Sequence, residues 1–250
     1  MTRPSTRPLA DYTTLTFDCY GTLIDWESGI WDAYQPLIMA NGYSDITRSD
    51  ALVAHARLES AQQTETPGML YGALLARIHG SFAGHYGLET TAELDAAFGA
   101  SVAHWPAFAD TADALRRLKK RYKLVILSNI DRAGFKASNR KLGVTFDAIY
   151  TAEDIGSYKP SARNFEFMLE RLEADHGTGA GQILHTAQSL FHDHVPAGDF
   201  GLARAWIDRQ GLSAGGAWGA TAEVAERPEV GFLFPTMAAM ADAVEAETNG

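Results

Sequence analysis

Cysteine is nearly absent. Cys19 stands alone in a chain of 250 residues, so no internal disulfide can form. Positive charge is scarce as well: 21 Lys and Arg stand against 31 Asp and Glu, for a net charge of -10 and a pI near 5.2. No basic stripe runs along the chain, which argues against nucleic acid and anionic membrane as partners. A small anionic substrate stays allowed, because a local pocket can oppose the global charge. No apolar run reaches 18 residues, and "MTRPSTRPLADY" at the start has no apolar signal core. These absences predict a soluble, cytoplasmic protein that is not bound to membrane. No internal repeat is visible. The Gly-rich "GTGAG" (177–181) lacks the Lys-Ser/Thr of a phosphate loop and reads as plain loop. One further absence is local. In "FDCYGTLID" (17–25), Asp18 has no second acid two residues on; Tyr20 holds that place.

What is present reads as ordinary globular text, 46% hydrophobic and 21% charged, long for one simple domain and short for two large ones. "TTLTFD" (13–18) is a short β-branched and aromatic run, hence a strand, and "YGTL" is a turn. From about 27 to 105 the text is nearly all helical. One helix starts near Glu27 and stops at Asn41-Gly42; a second opens at Thr47, capped with Asp50, and breaks at Pro67-Gly68. After Pro106 the character changes. "DTADALRRLKKRY" (110–122) is an amphipathic helix with Asp110 as its N-cap, and "KLVILSN" is a strand buried on both faces. Helix and strand alternate from there: a helix at about 132–142 ending at Gly143, strand-like "FDAIYTAE", helical "SARNFEFMLERLEAD", strand "QILHTA", a short helix in "HVPAGDFG", strands "ARAWID" and "GFLFP", and a terminal helix "MAAMADAVEAE". Alternation of this kind predicts an α/β fold, with a parallel sheet covered on both faces and a helical block inserted after the first strand.

Ligand sites in open parallel sheets lie at the carboxyl ends of the strands. Four such ends carry unusual chemistry: Asp18 after the first strand, Ser128-Asn129 after the second, Lys159 in "GSYKP" after the third, and Asp193 in "QSLFHDH" after the fourth. Taken singly, each has an ordinary explanation as a cap, a turn or a solvated charge. Together they supply a nucleophile, a hydroxyl-amide pair, a cation and a second acid.

The chain resembles the haloacid dehalogenase superfamily, and within it the type II L-2-haloacid dehalogenases, over about Thr14 to Ile207. "FDCYGTLID", "VILSNIDRAGF", "YKPSARNF" and "HDH" carry the resemblance. It implies a Rossmann-like core of residues 1–26 and 106–250, with a helical cap of residues 27–105. It also implies a metal-free, cofactor-free hydrolysis of short halogenated carboxylic acids to 2-hydroxy acids through an aspartyl ester. Most relatives are magnesium-dependent phosphatases, whose second acid protonates an alkoxide leaving group. A halide needs no proton to leave, so Tyr20 suits a dehalogenase and not a phosphatase.

The resemblance makes Asp18 the nucleophile, with Lys159 holding it ionised and helping to bind the substrate carboxylate. Ser128 donates to that carboxylate. Asn129 and Thr22 position Asp18 and the ester carbonyl, Asp193 activates water, and Tyr20 lines the pocket. For the halide cradle the expectations are Arg57 and His55 from the cap and His192 from the fourth motif, with Ser189 and Trp26 nearby; Trp105 is a further candidate lining. A compact, donor-rich pocket follows from them, with fluoroacetate among its substrates. The chain departs from the family's pattern in two places: Phe165 stands where relatives have Tyr, and His192 where a Trp is usual. His192 and His194 form a His-x-His pair without a third close ligand, which is weak as a metal site. Cys19 is expected to be buried and inert. Two rivals stand beside this reading: a magnesium-dependent phosphatase or phosphonate hydrolase on the same fold, and a non-catalytic binding module. The oligomeric state is not set by the sequence, and a homodimer is left open.

Overall fold

The computed structural model describes residues 7–42 and 45–249. Six strands form one all-parallel sheet in the order β3-β2-β1-β4-β5-β6: β1 Thr14–Phe17, β2 Lys123–Ser128, β3 Ala148–Thr151, β4 Ile183–Ala187, β5 Ala203–Ile207 and β6 Phe232–Phe234. Every residue of β1 and β4 is buried, as is β2 beyond Lys123, so their unbroken apolar text belongs to strands covered on both faces. The chain moves from β1 to β2 and β3 on one side. It then returns to β4, β5 and β6 on the other, which leaves a switch point between β1 and β4. Phe17 is in register with Ile126 and with Thr186, so the ends carrying Asp18, Ser128 and Gln188 lie side by side.

Four helices are inserted between β1 and β2: α1 Trp26–Ala40, α2 Arg48–Glu65, α3 Tyr71–Tyr86 and α4 Ala92–Gly99. Their starts are fixed by side-chain caps, with Asp25 accepting from the Ser28 N–H, Thr47 from Asp50 and Thr91 from Leu94. Tyr34 is the centre of their core. It stacks on Phe82 at 3.8 Å between ring centroids, and its hydroxyl pairs with His55 Nδ1 at 2.9 Å. α1 meets Trp105 through Gly29, where an added Cβ would come within 2.3 Å of the indole. Trp105 is thereby a packing residue and not cavity lining. No helix among the described residues is long and apolar enough to cross a membrane.

The helices covering the sheet are α5 Thr111–Leu118, α6 Arg132–Leu142, α7 Ala152–Ile155, α8 Ala162–His176, α9 Val195–Asp199 and α10 Met237–Asn249. α5 is shorter than its text predicts, and the last residues of "FDAIYTAE" turn into α7 instead of extending the strand. Asp110 occupies the N-cap position of α5 but does not cap it. Its carboxylate instead accepts from Arg209 (3.1 Å) and from the Ala238 N–H at the start of α10 (3.1 Å). Arg209 in turn donates to the Thr22 carbonyl at 3.0 Å and lies over the Phe108 ring at 3.8 Å. Asp110→Ala therefore removes a charged partner and a helix cap together. It is expected to cost about 1–3 kcal/mol by urea denaturation, discounted toward the low end because the pair is partly exposed, and Asp110→Asn is expected to cost less.

Candidate active site

The turn after β1 is built tightly. Gly21 has a φ of +95°, and a Cβ there would meet Gln188 Oε1 at 3.2 Å and Trp26 Nε1 at 3.3 Å. The backbone curls back, Leu23 N–H donating to the Cys19 carbonyl, and this places Thr22 beside the acid. Thr22 Oγ1 donates to Asp18 Oδ2 at 2.7 Å and accepts from the Gln188 N–H at 2.9 Å.

Asp18, 6% exposed, lies at the floor of a cavity of about 860 Å³ between the sheet and the inserted helices. Its other oxygen accepts from Lys159 Nζ at 3.0 Å. The same ammonium donates to Asp193 Oδ1 at 2.7 Å and to the Leu127 carbonyl at 2.9 Å. An ammonium has three protons, and all three of Lys159's are committed, so none is spare for a substrate carboxylate. Burial alone would lower the Lys159 pKa, but the charges of Asp18 and Asp193 outweigh it and hold the amine above its usual value. Burial raises Asp18 above the ordinary carboxylate range against the pull of Lys159, with Asp193 adding to the rise. Burial also pushes on Asp193, but Lys159 and a hydrogen bond from His185 overcome it and hold that carboxyl well below the range.

Asn129 serves a different partner from the one expected. Its Nδ2 donates to the Lys159 carbonyl at 2.9 Å and its Oδ1 accepts from the Lys159 N–H at 2.6 Å. It therefore clamps the backbone of the lysine and makes no bond to Asp18. Ser128 is 1% exposed, its Oγ has no partner among the described residues, and it lines the cavity. Tyr20 also lines the cavity, with its phenol paired to Ser138 Oγ at 2.9 Å and its ring edge-on to Trp105. Ser189 Oγ accepts from the His192 N–H at 3.0 Å, so it caps the turn that carries Asp193. Trp26 and His192 both line the cavity. Burial pushes His192 down to about 4, which leaves a neutral ring at pH 7. His194 faces inward, its Nε2 donating to the Ala187 carbonyl at 2.9 Å, so the His-x-His pair does not converge. Phe165 packs edge-on to His185 in the layer behind the sheet and does not reach the cavity. Cys19 is buried, and desolvation pushes its thiol well up.

Of the expected halide cradle, Arg57, His192, Ser189 and Trp26 line the cavity and His55 does not. His55 is fully buried, bonded to Tyr34, absent from the cavity wall and pushed down to about 3 by burial. Arg57 does line the cavity, but as an exposed side chain at its rim. The reason is helical geometry. Residues two apart point about 200° away from each other. Val53, Ala56, Arg57, Ser60 and Thr64 form the cavity stripe of α2, whereas Leu52, His55 and Gln62 form its buried stripe. Sequence reasoning missed two acid-base groups. Glu59 lines the cavity with 21% of its side chain exposed, and desolvation pushes it up to about 7 against the pull of the Tyr71 hydroxyl. His185, in the middle of β4, holds Asp193. The wall opposite α2 is the segment Gly219–Glu223, tied down where Thr221 meets Gln210 (2.8 Å) and Gln210 meets Gln188 (2.8 Å). With that wall in place the cavity is far from compact, and it falls in the ~300–1,000 Å³ range of pockets for drug-sized ligands.

Comparison with known proteins identifies the family and the fold. A family described as haloacid dehalogenase-like hydrolase matches residues 12–180. An (S)-2-haloacid dehalogenase of Pseudomonas putida is 30% identical over 129 residues, 50% of this chain and 55% of that protein. The chain thus spans about half the length of that relative. The (S)-2-haloacid dehalogenase 4A of Burkholderia cepacia is 29% identical over 202 residues, 78% of this chain and 82% of the relative. Among solved structures, the L-2-haloacid dehalogenase of Xanthobacter autotrophicus with chloropropionic acid covalently bound superposes with a TM-score of 0.73. It is 18% identical, with 94% of this chain and 98% of that chain covered, so the likeness is one of fold.

Proposed function

The chain belongs to the haloacid dehalogenase-like hydrolases, and within that family we propose that it hydrolyses 2-haloalkanoic acids to 2-hydroxy acids through an ester on Asp18. The observation that carries this reading is the pairing at the cavity floor. One buried carboxylate is held by an ammonium and a hydroxyl, a second acid shares that ammonium, and a phenol tied to Ser138 occupies the place two residues on.

In the first step an Asp18 oxygen attacks C2 from the side opposite the halogen. The C–O bond forms, the C–halogen bond breaks, and halide leaves with the bonding pair. Lys159 compensates the charge on Asp18 without touching the substrate. Ser128 is the hydroxyl free to meet the substrate carboxylate, and Arg57 supplies positive charge at the rim. In the second step water attacks the ester carbonyl carbon. Asp193 takes one water proton and returns it to the departing alkoxide, and the remaining proton leaves as the Asp18 carboxyl ionises again. Residues 27–105 act as the cap that screens these steps from bulk water.

The donors do not fit a magnesium ion, which asks for a near-octahedral set of hard oxygens. Lys159 occupies one oxygen of each acid, Thr22 takes the second of Asp18, and no acid stands at Tyr20. Halide release is therefore expected to survive excess chelator. The cavity supports 2-substituents longer than methyl, so release from 2-bromohexanoate is expected to at least match release from bromoacetate. A halide assay over this series, with and without chelator, tests both points. Activity that requires added magnesium would sink the reading in favour of a phosphatase, and release confined to the two-carbon acids would sink the assignment of longer substrates.

A further inference from the structure

His185 lies in β4, fully buried, and its ring does not reach the cavity. Both of its nitrogens are engaged. Nδ1 is 2.8 Å from Thr16 Oγ1 on β1, and Nε2 is 3.0 Å from Asp193 Oδ1. Thr16 and His185 are register partners on adjacent strands, so the sheet itself delivers the hydroxyl to the ring. An ionised carboxylate only accepts. Nε2 therefore carries the proton and donates to Asp193, and in the neutral ring Nδ1 accepts from the Thr16 hydroxyl. Asp193 Oδ1 thus takes two donors, Nε2 of His185 and Nζ of Lys159, while Oδ2 is buried without any partner among the described residues. A buried carboxylate oxygen left free is costly, and it calls for an explanation in function.

We propose that His185 is a positioning residue for ester hydrolysis: with Lys159 it pins one oxygen of Asp193, so that the other is presented to the attacking water. This rests on the two-step reading above. Asp18 is held by Lys159 and Thr22 and makes no bond to His185. The alkylation step is therefore independent of the ring. Without the ring, Lys159 alone holds Asp193, the carboxylate is free to rotate, and its proton is harder to remove. The other titratable groups facing Asp193 are Lys159, Asp18, His192 and His194; all four are retained in a variant at position 185, and of the three other than Lys159 only His194 also feels the His185 ring.

The test is rapid-mixing halide release from bromoacetate by His185→Leu and His185→Gln. In the Leu variant a burst of about one halide per enzyme is expected at close to the wild-type rate. Steady-state turnover then falls about 10²–10³-fold, the lower part of the ~10²–10⁴-fold range for general-base catalysis, because Asp193 stays in place on Lys159. Mass spectrometry should find the ester accumulated on the peptide carrying Asp18. The acid limb of steady-state turnover should move to higher pH, because Asp193 has lost a donor that favoured its ionised form. Gln, which keeps an N–H for Asp193, should recover most of the loss. If the Leu variant does not fold, Thr16→Val carries the same comparison, with burst kept and turnover about 10-fold slower. Burst and turnover falling together, or turnover unchanged, would overturn the role of His185 alone. A wild type that releases no halide from any haloacid would overturn this role and the dehalogenase reading together.

Discussion

Asp18→Ala is expected to lower halide release by at least ~10⁴-fold, because the residue supplies the atom that bonds to substrate and nothing else at the cavity floor can replace it. Asp193, the other acid, has one oxygen fixed by Lys159 and His185, and it is Asp18 that lies beside Thr22 in the turn after β1. An oxygen label separates the covalent route from direct attack by water. With enzyme in excess in heavy-oxygen water, the 2-hydroxy acid of the first turnover should carry ordinary oxygen and the label should appear in the Asp18 carboxyl. Labelled product in the first turnover would remove Asp18 as nucleophile and leave it an electrostatic role. The burst phase should also show an acid limb above the ordinary carboxylate value of ~3.9. Burial raises Asp18, so its nucleophilic anion is lost earlier as the pH falls. An acid limb at or below the ordinary value would mean that another group controls the step.

Much of this arrangement is legible in the amino-acid sequence, and the parts that are not share a physical cause. β1 and the turn holding Asp18 and Thr22 are local. A β-branched run ends in Gly-Thr, and the bond from Thr22 to Asp18 spans only four residues. The same holds for the cap at Thr47. The alternation of elements predicts the parallel sheet and puts Ser128, Lys159 and Asp193 at or after strand carboxyl ends, whereas the strand order that brings them to one crevice is set by the fold. Partners, however, are set by register and packing. Asn129 reads as a ligand of Asp18 until the fold places the Lys159 backbone across it. Asp110 stands before a helix in sequence but caps α10, which begins more than a hundred residues later. His55 and Arg57 are neighbours in the text and opposites on the helix, a contrast that the 3.6-residue period carries and that spacing alone hides. His185 sits inside a run that reads only as a buried strand. A titratable ring in such a place signals a polar partner, but Thr16 and Asp193 are identified only by the sheet. Cavity size was least accessible, since its outer wall comes from Gly219–Glu223, a segment between β5 and β6 with no regular pattern of its own.

Lys159→Met is expected to be the most damaging substitution for the fold and to leave halide release at least ~10³-fold down. The ammonium is 1% exposed, and each of its three protons is spent on a buried acceptor. Methionine fills nearly the same volume, so the loss is chiefly electrostatic. Two buried carboxylates remain, with Thr22 and His185 as their nearest donors. Removing one partner of a buried ion pair costs about 3–5 kcal/mol, relieved where one acid takes up a proton. The pH dependence separates this account from a packing defect. In the wild type, Asp193 is held below the ordinary range, so its contribution to stability is present above ~3.9 and is lost as the pH falls toward its folded value. Lys159 is held above its ordinary value, so its contribution is present below ~10.4 and is lost as the pH rises through its folded value. Between those limits the pair contributes a plateau. The Met variant has no cation to hold either acid ionised, so both carboxyls shift upward and the folded state binds more protons than the unfolded chain. Relative to the wild type, which shares the slopes of Glu59 and the buried histidines, its stability should therefore fall further as the pH rises from 5 to 8. Urea denaturation across that range measures the difference. A Met variant that runs parallel to the wild type, offset by a constant amount, would mean that Lys159 contributes packing and not charge, and its place in the reaction would fall with it.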